Sequence, residues 1–356
     1  MPADNRLNME EIDPDINHYN ENTVNFKQYS IDTFIKDMKI DSGTLNLFHN
    51  NAHSIMKDGR LDEYNILLNT IGNPFHILVF TETWLSDKNK DLCQFDGYVP
   101  LHLLRPTDNQ YDFKTRGGGV SVFIKEHIEF KHRADLSLIS PSIECIFVEL
   151  NFHNKKYLIG GVYRVPNTDV KTFCKSINDL IEPHRSHNII LLGDYNICLQ
   201  QNNCHKIELQ NTMQSNSLYP TILAPTRVAS IMRDGQLVTT NSLIDNIYLN
   251  TQSKFQSGIL EVSISDHYPI FALINEQSIP SSNKETTIKY RLINENTLNK
   301  FKYDLANNPE ISNIFRTNSG QEAFSKFLTL FNNLYDIYFP IKSKKKLLEK
   351  DYSNPG

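Results

Sequence analysis

Six polar residues that could handle a phosphate group stand at the ends of apolar segments in this sequence. They are Asn51 after TLNLFHN, Glu82 after ILVFT, Asp194 and Asn196 after IILLG, and the pair Asp266-His267 before YPIF. Carboxylate and amide oxygens favour hard cations such as Mg²⁺ or Mn²⁺. Joined by a histidine, they suit phosphodiester hydrolysis: the cation neutralises the phosphate, a carboxylate orients or deprotonates water, and a cationic histidine stabilises developing charge.

The segments that carry these residues have the pattern of buried strands. Short apolar runs such as HILVFTETW and HNIILLGDYN end in polar residues, and ECIFVELNF and KKYLIGGVY alternate as in a hairpin joined by HNK. Helices are predicted between them at RLDEYNILLNTIG and at DVKTFCKSINDLIEP, the latter with Asp169 as its N-cap and Pro183 as its stop. This alternation predicts an α/β sandwich of packed sheets with helices outside, and strand-end loops are where such folds build sites.

The chain divides by composition into three parts. Residues 1–40 form a polar, acidic extension of net charge −4 that is weakly helical around SIDTFIKDMKI. Residues 41–276 hold the strands and carry a net charge of about −5, so charge alone does not indicate nucleic-acid binding. Residues 277–356, of net charge +4, are predicted to be a linker, two amphipathic helices and the basic stop PIKSKKK.

The cysteine and glycine patterns argue against a disulfide framework and against a phosphate-binding P-loop. The five cysteines are odd in number and contain no CxxC, which indicates reduced thiols in an intracellular protein. No signal peptide or membrane-spanning segment is evident. Gly117-Gly118-Gly119 could cradle a phosphate, but no Lys-Ser/Thr and no helical pattern follow, so a tight turn into a strand is favoured.

Taken in order, seven short segments resemble the endonuclease/exonuclease/phosphatase superfamily. They are NAHSI, TETWL, RGGGVSVFI, VYRVPN, GDYN, SLIDNI and SDHYPI. The resemblance spans residues 41–275 and is nearest to the apurinic-like endonuclease domain of LINE-type non-LTR retrotransposon polyproteins. It implies a DNase-I-like fold, a four-layered α/β sandwich of two packed mixed sheets flanked by helices. It also implies that the chain ends before a reverse transcriptase, toward which residues 277–356 lead.

The resemblance also implies a role for each matching residue. Glu82 corresponds to the principal metal ligand, Asn51 to a residue that helps place metal and phosphate, and Asp266 to a second acid near the metal. The catalytic group comprises Tyr163 beside the scissile phosphate, Asp194 on the water, Asn196 on a phosphate oxygen, the catalytic His267, and Asp245, which would accept the His267 ring N–H and favour the imidazolium. Predicted DNA contacts are Arg116, Arg164, Thr226 and Arg227, with Arg105 and Lys125 as further basic candidates.

The implied function is a Mg²⁺- or Mn²⁺-dependent endonuclease that nicks DNA to leave a 3′-hydroxyl. In an intact element, that end would prime reverse transcription of the element's own RNA by a downstream polymerase. We expect a monomeric catalytic domain with no membrane partner, nuclear if active in retrotransposition and otherwise cytoplasmic. Two alternatives stay open: a phosphoesterase of the same fold acting on another phosphate, and an inactive nucleic-acid-binding fragment of a decayed element.

Overall fold

The structure is a computed structural model, and it describes residues 24–38, 43–106, 117–233, 236–251, 253–276, 287–291, 295–317 and 319–345. These residues fall into two compact units, one built from 24–276 and the other from 287–345. The first unit carries all the described candidate site residues.

The strands of the described chain are numbered in chain order. They are β1 (Asn25–Tyr29), β2 (Thr44–Asn51), β3 (Ile77–Thr81), β4 (Tyr98–Leu103), β5 (Val120–Lys125), β6 (Phe130–His132), β7 (Leu138–Ile139), β8 (Ile143–Phe152), β9 (Lys155–Arg164), β10 (Asn188–Asp194), β11 (Tyr219–Pro220), β12 (Arg227–Arg233), β13 (Gln236–Ser242), β14 (Asp245–Leu249), β15 (Phe255–Leu260), β16 (Ile270–Asn275), β17 (Thr287–Arg291) and β18 (Ile341–Lys345). The α-helices are α1 (Ile31–Asp37), α2 (Arg60–Thr70), α3 (Val170–Ile181), α4 (Cys204–Ser215), α5 (Glu295–Ala306), α6 (Glu310–Phe315) and α7 (Gly320–Tyr338).

Two mixed sheets pack face to face in the first unit. Sheet 1 has the order β1-β15-β16-β2-β3-β5-β4, and sheet 2 has the order β11-β14-β10-β9-β8-β6, with β7 also on β8. Side chains of both sheets share one inner core, α1 and α2 cover the outer face of sheet 1, and α3 and α4 cover the outer face of sheet 2. The predicted four-layered α/β sandwich is confirmed.

This layering explains why the central strands carry apolar residues on both faces rather than on alternate positions. In β2, Leu47 points into the inner core while Phe48 points toward the helical layer. In β10, Leu192 and Leu191 divide in the same way between the inner core and the α3/α4 layer. Because neighbouring side chains leave a strand on opposite faces, a strand covered on both faces buries apolar residues on both of them.

The local predictions for α3 and for the β8–β9 hairpin are confirmed. Asp169 caps α3 by accepting a hydrogen bond from the Thr172 backbone N–H, and the helix ends at Ile181 before Pro183. The hairpin turns over His153 and Asn154, whose φ angles of 47° and 62° are those of a two-residue type I′ turn.

The first unit begins earlier in the chain than the composition indicates. β1 pairs in parallel with β15, and Phe34 of α1 is buried in the outer layer of sheet 1. The described part of the predicted N-terminal extension, residues 24–38, therefore belongs to the sandwich. The sequence does not predict this strand, because β1 is an edge strand whose side chains are mostly polar and exposed.

The second unit contains the two amphipathic helices predicted from the sequence, α5 and α7, with the short α6 between them. An aromatic cluster joins α5 to α7, with Phe301 lying 5.4 Å from Phe331 and 5.4 Å from Phe339 between ring centroids. The segment predicted as a basic stop instead forms β18, paired antiparallel with β17. Most of the predicted linker lies outside the described residues.

Two further predictions concern the cysteines and membrane segments. All five cysteines lie in the described chain and all are free thiols, as the sequence predicts. Among the described helices, none combines the length and apolar character needed to cross a bilayer.

Candidate active site

Sheet 2 places three of the predicted catalytic residues side by side at one edge. Asp194, the last residue of β10, pairs with Tyr163 of the parallel strand β9 on one side and with Asp245 of the antiparallel strand β14 on the other. All three side chains are buried. These pairs, about 30 and 50 positions apart in sequence, meet because the register of the sheet aligns them.

Sheet 1 delivers the metal-site candidates to the same place. β2 and β3 run parallel and end together, so Asn51 lies opposite Thr81 and next to Glu82. The Asn51 amide group donates to Glu82 Oε1 at 3.0 Å and to Asp194 Oδ2 at 2.8 Å. Asn51 thus bridges the carboxylates of the two sheets, while its own Oδ1 accepts the His53 backbone N–H at 3.0 Å.

Asp194 is fully buried among like charges. Burial, followed by the charges of Asp245 and Glu82, raises the pKa of Asp194 to about 7, against the opposing effect of His267. Its Oδ1 accepts the Asn196 backbone N–H at 2.8 Å. A carboxylate with a raised pKa is a stronger proton acceptor than a surface aspartate, which is what a general base requires.

Asp245 and His267 form the pair that the sequence predicts. His267 Nδ1 lies 2.8 Å from Asp245 Oδ2, and both side chains are buried. Burial alone would lower the pKa of His267, but Asp245 and then Asp194 outweigh it and raise that pKa to about 9. Burial alone would also raise the pKa of Asp245, yet His267 holds it below its ordinary value. His267 is therefore an imidazolium whose Nδ1 pairs with Asp245 and whose Nε2 carries a second N–H donor.

Thr226 completes this pair and corrects a sequence prediction. Its side chain is fully buried and donates to Asp245 Oδ2 at 2.6 Å, while Thr226 Oγ1 accepts the Asp245 backbone N–H at 3.1 Å. A buried hydroxyl cannot contact DNA, so the predicted DNA contact is wrong. Thr226 positions Asp245 instead.

Ser265 and Asn50 hold the backbone of the Ser-Asp-His triplet. Ser265 Oγ donates to the Asn51 carbonyl at 2.7 Å and accepts the His267 backbone N–H at 3.1 Å. The Asn50 amide donates to the His267 carbonyl at 2.9 Å. Neither residue has a role predicted from the sequence, although the serine directly before Asp266-His267 is a signal for a local side-chain–backbone turn.

Asp266 lies at the rim of the site, where both of its oxygens have partners. Oδ1 is 3.0 Å from His53 Nδ1, and Oδ2 accepts from the Arg227 guanidinium at 2.9 Å. Although burial opposes it, the charge of His267 together with these two partners lowers the pKa of Asp266 to about 2. Asp266 is thus a fixed anion beside His267.

Tyr163 faces the carboxylates across the sandwich. Burial, followed by the charges of Glu82 and Asp194, raises the pKa of its phenol far above the ordinary value. Tyr163 consequently keeps its proton at neutral pH and can only donate it in a hydrogen bond.

Arg164 and Asn196 each donate a hydrogen bond to the backbone carbonyl of the other. This corrects a second prediction, the contact between Arg164 and DNA. The Arg164 guanidinium donates to the Asn196 carbonyl at 3.2 Å and to the Thr168 carbonyl, and the Asn196 amide donates to the Arg164 carbonyl at 2.8 Å. The Arg164 side chain is buried. It therefore shapes the loop that carries Asn196 instead of contacting DNA phosphates.

Of the other basic residues predicted to contact DNA, some lie away from the site or are paired inside the protein, and one lies partly exposed at the rim. Lys125 lies at the end of β5 remote from Val120 and Glu82, over the Tyr98 ring at 4.5 Å, so it is removed from the site. Arg105 is paired with the buried Glu144. Arg227 has a partly exposed side chain at the rim, while Arg116 lies outside the described residues.

The loops that carry the site contain strained backbone. Non-glycine residues with positive φ include His53 (44°), Glu82 (50°), Trp84 (55°) and Asn196 (47°). These conformations are costly for side chains other than glycine and persist where surrounding contacts fix them. Strain at the ends of β2, β3 and β10 marks the same place as the buried charges.

The residues present fit a divalent cation. Glu82 and Asp194, which Asn51 joins, supply the carboxylate oxygens that suit this cation. One oxygen each of Asp194 and Asp245 and a ring nitrogen of His267 lie within 4.8 Å of one another, but the protonated His267 cannot itself be a ligand. Asp245 Oδ1 is buried without a hydrogen-bond partner in the described chain. Buried carboxylates that lack partners are characteristic of sites completed by a cation or a ligand proton.

With this geometry established, the class of the protein follows. The chain belongs to the Endonuclease/Exonuclease/phosphatase family, whose model matches residues 43–267, more than half of its length. This is a family of hydrolytic nucleases and phosphatases, and the resemblance inferred from the sequence motifs is confirmed. Among curated protein sequences, none matches this chain.

Two solved structures share the fold. The endonuclease domain of TRAS1, a telomere-specific non-LTR retrotransposon, is 15% identical with a TM-score of 0.51, covering 66% of this chain and 99% of that one. The AP endonuclease LMAP from Leishmania major is 13% identical with a TM-score of 0.55, covering 75% of this chain and 95% of that one. At these identities the likeness establishes the DNase-I-like architecture.

Proposed function

We propose that this protein is a divalent-metal-dependent endonuclease that nicks DNA and leaves a 3′-hydroxyl. The observation that carries the proposal is the convergence of Asp194, Asp245 and His267 at the joined strand ends of two sheets, with Asn51 linking Asp194 to Glu82. This arrangement combines a buried base, an oriented imidazolium and carboxylates that fit a cation.

Each residue has a part in hydrolysis of the phosphodiester. Glu82 and Asp194 would hold the cation, which supplies charge neutralisation at the phosphate. Asp194 accepts a proton from the attacking water, His267 Nε2 donates toward a non-bridging oxygen, and the Tyr163 hydroxyl donates to the same phosphate. The water oxygen bonds to phosphorus as the bond between phosphorus and O3′ breaks. The phosphate stays on O5′ of the downstream nucleotide, and the leaving O3′ takes up a proton from water to become a 3′-hydroxyl.

Two observations support DNA as the substrate: the fold shared with known endonucleases and a partly exposed arginine at the rim of the site. The likeness to the endonuclease domain of a retrotransposon and to an AP endonuclease supports it. Arg227 offers a partly exposed guanidinium next to Asp266, where a backbone phosphate could bind without sequence readout. In an intact element the nick would prime reverse transcription of the element's own RNA by a downstream reverse transcriptase. That RNA and that reverse transcriptase are the proposed partners.

A substrate panel with Mg²⁺ or Mn²⁺ tests this function. We expect nicking of supercoiled plasmid, sealing of the nick by DNA ligase, and no release of phosphate from a phosphoinositide. Sealing requires a 3′-hydroxyl beside a 5′-phosphate, so unsealable nicks would contradict the proposed end chemistry. Cleavage confined to an abasic oligonucleotide would indicate a repair-type enzyme, and phosphoinositide turnover without nicking would indicate a phosphatase.

A further inference from the structure

The segment that carries Glu82 is fixed by hydrogen bonds to a glycine turn. Glu82 and Trp84 both adopt positive φ, a conformation that surrounding contacts must impose. The backbone N–H groups of Thr83 and Trp84 donate to the carbonyls of Gly119 at 3.2 Å and Gly118 at 3.0 Å. The position of the Glu82 carboxylate therefore depends on where this turn lies.

Arg105 and Thr83 pack directly against the glycine turn. Gly117, Gly118 and Gly119 have φ of +111°, +70° and +85°, and β5 begins at the next residue, as the prediction of a turn into a strand requires. A Cβ added to Gly118 would lie 2.1 Å from Arg105 Nε, and one added to Gly119 would lie 2.7 Å from Thr83 Oγ1. The three glycines cradle a guanidinium of the protein itself, and a side chain here would displace it.

A buried carboxylate on the other sheet anchors this arrangement. Glu144 of β8 is fully buried, forms an ion pair with Arg105, and accepts the Gly119 backbone N–H at 2.5 Å. Its strand neighbour in register is Tyr163. One carboxylate thus ties the glycine turn and Arg105 of sheet 1 to the strand beside the catalytic tyrosine in sheet 2.

We infer that Glu144 and Arg105 are positioning residues that fix Glu82 for cation binding, an inference that rests on the proposed metal-dependent function. Without the Glu144 charge, the partly buried guanidinium of Arg105 loses its counter-ion and moves toward water. The turn that packs against Arg105 moves with it, and Thr83 and Trp84 lose well-placed acceptors. Glu82 then relaxes out of its strained conformation and away from Asp194.

Calorimetric titration with Mn²⁺ tests the inference, with Glu144→Gln compared to Glu276→Gln. Glu276 is a matched control because it is also a buried carboxylate paired with a cation, Lys155, yet it follows β16 at the end of that strand opposite His267. Both variants should unfold at lower temperature than the wild type. Only Glu144→Gln should weaken Mn²⁺ binding, by about 10- to 100-fold, the range for residues that orient a ligand.

Arg105→Lys provides a second variant should Glu144→Gln not fold. It keeps the charge but loses the planar fork that spans Glu144 and the glycine turn, so Mn²⁺ affinity should fall by a smaller factor. Wild-type Mn²⁺ affinity in a folded Glu144→Gln, or in Arg105→Lys when that is the folded variant, would overturn the positioning role. A wild type that binds no Mn²⁺ would overturn the metal-dependent function, and with it this inference.

Discussion

Thr226 donates a 2.6 Å hydrogen bond to Asp245 Oδ2, the same oxygen that lies 2.8 Å from His267 Nδ1. The threonine therefore fixes the rotation of the carboxylate that orients the imidazolium. Because the hydroxyl is fully buried, its loss is not compensated by water. Thr226, Asp245 and His267 thus form one continuous chain of hydrogen bonds.

Replacing Thr226 by valine should lower kcat by about tenfold. Asp245 Oδ2 loses one of its two hydrogen bonds and the Asp245 backbone N–H loses an acceptor, a buried loss that costs about 1–3 kcal/mol and misorients His267. KM for DNA should stay unchanged, since the side chain does not reach the surface. Thr226→Ser keeps the hydroxyl and should retain most activity. Steady-state kinetics on plasmid distinguishes these results from a DNA-contact role, in which Thr226→Val would raise KM instead.

Asp245→Asn should reduce nicking by about 10²- to 10⁴-fold, the range lost with a general acid or base. The amide cannot sustain the imidazolium, so the pKa of His267 falls from about 9 and the ring loses its charge at neutral pH. The far-ultraviolet circular dichroism spectrum should match that of the wild type. Normal turnover by a folded Asp245→Asn protein would refute the pairing.

Substitutions at Arg227 and Arg164 distinguish a DNA contact at the surface from a structural role inside the protein. Arg227→Gln should weaken DNA binding and reduce the dependence of log K on log[salt] by about one, the effect of one lost phosphate contact. Arg164→Gln should leave that slope unchanged and lower the melting temperature, because a buried guanidinium that binds two carbonyls is lost. Identical salt slopes for Arg227→Gln and the wild type would remove Arg227 from the DNA interface.

The stability of the fold should decline in acid partly through His76. Its Nδ1 accepts the Asn46 backbone N–H at 3.0 Å, and burial lowers the pKa of His76 from 6.5 to about 4. Between these values the unfolded chain binds more protons than the folded one, so this contribution is complete above pH 6.5 and is lost as the pH falls toward 4.

His76→Gln should therefore flatten the decline in the free energy of unfolding between pH 7 and pH 4.5 by about 1–2 kcal/mol, a figure reduced for the partial exposure of the ring. Urea unfolding monitored by Trp84 fluorescence provides the measurement. The exposed His205 offers a control, since His205→Gln should leave the pH profile as it is. A His76→Gln profile that parallels the wild type would contradict this account.

The sequence predicts the layers and most of the site, because both depend on local patterns. Apolar runs that end in Asn51, Glu82 and Asp194 predict strands covered on both faces, with polar loops at one edge of the sheet. The roles of Thr226 and Arg164 could not be predicted in this way. Their burial depends on how distant segments fold over them, and a polar residue near a motif looks the same whether it faces DNA or the interior.

Glu144 shows the same limit from the opposite side. In ECIFVELNF it reads as one of two glutamates on a strand, and nothing local distinguishes it from Glu149, which stays partly exposed. Its partner Arg105 lies 39 positions earlier, just after the last residue of β4 in the other sheet. Only the packing of the two sheets reveals that a glycine turn, a guanidinium and a carboxylate form one support beneath Glu82.

The most direct test of the central claim is a supercoiled-plasmid assay with Mg²⁺, with EDTA, and with a His267→Ala protein prepared identically. We predict open circles with wild type and Mg²⁺, none with EDTA, and a loss of at least about 10²-fold in the variant. Equal nicking by wild type and variant would assign the activity to a contaminant. A folded wild type that leaves the plasmid intact with both Mg²⁺ and Mn²⁺ would contradict the assignment of this site as a DNA-cutting centre.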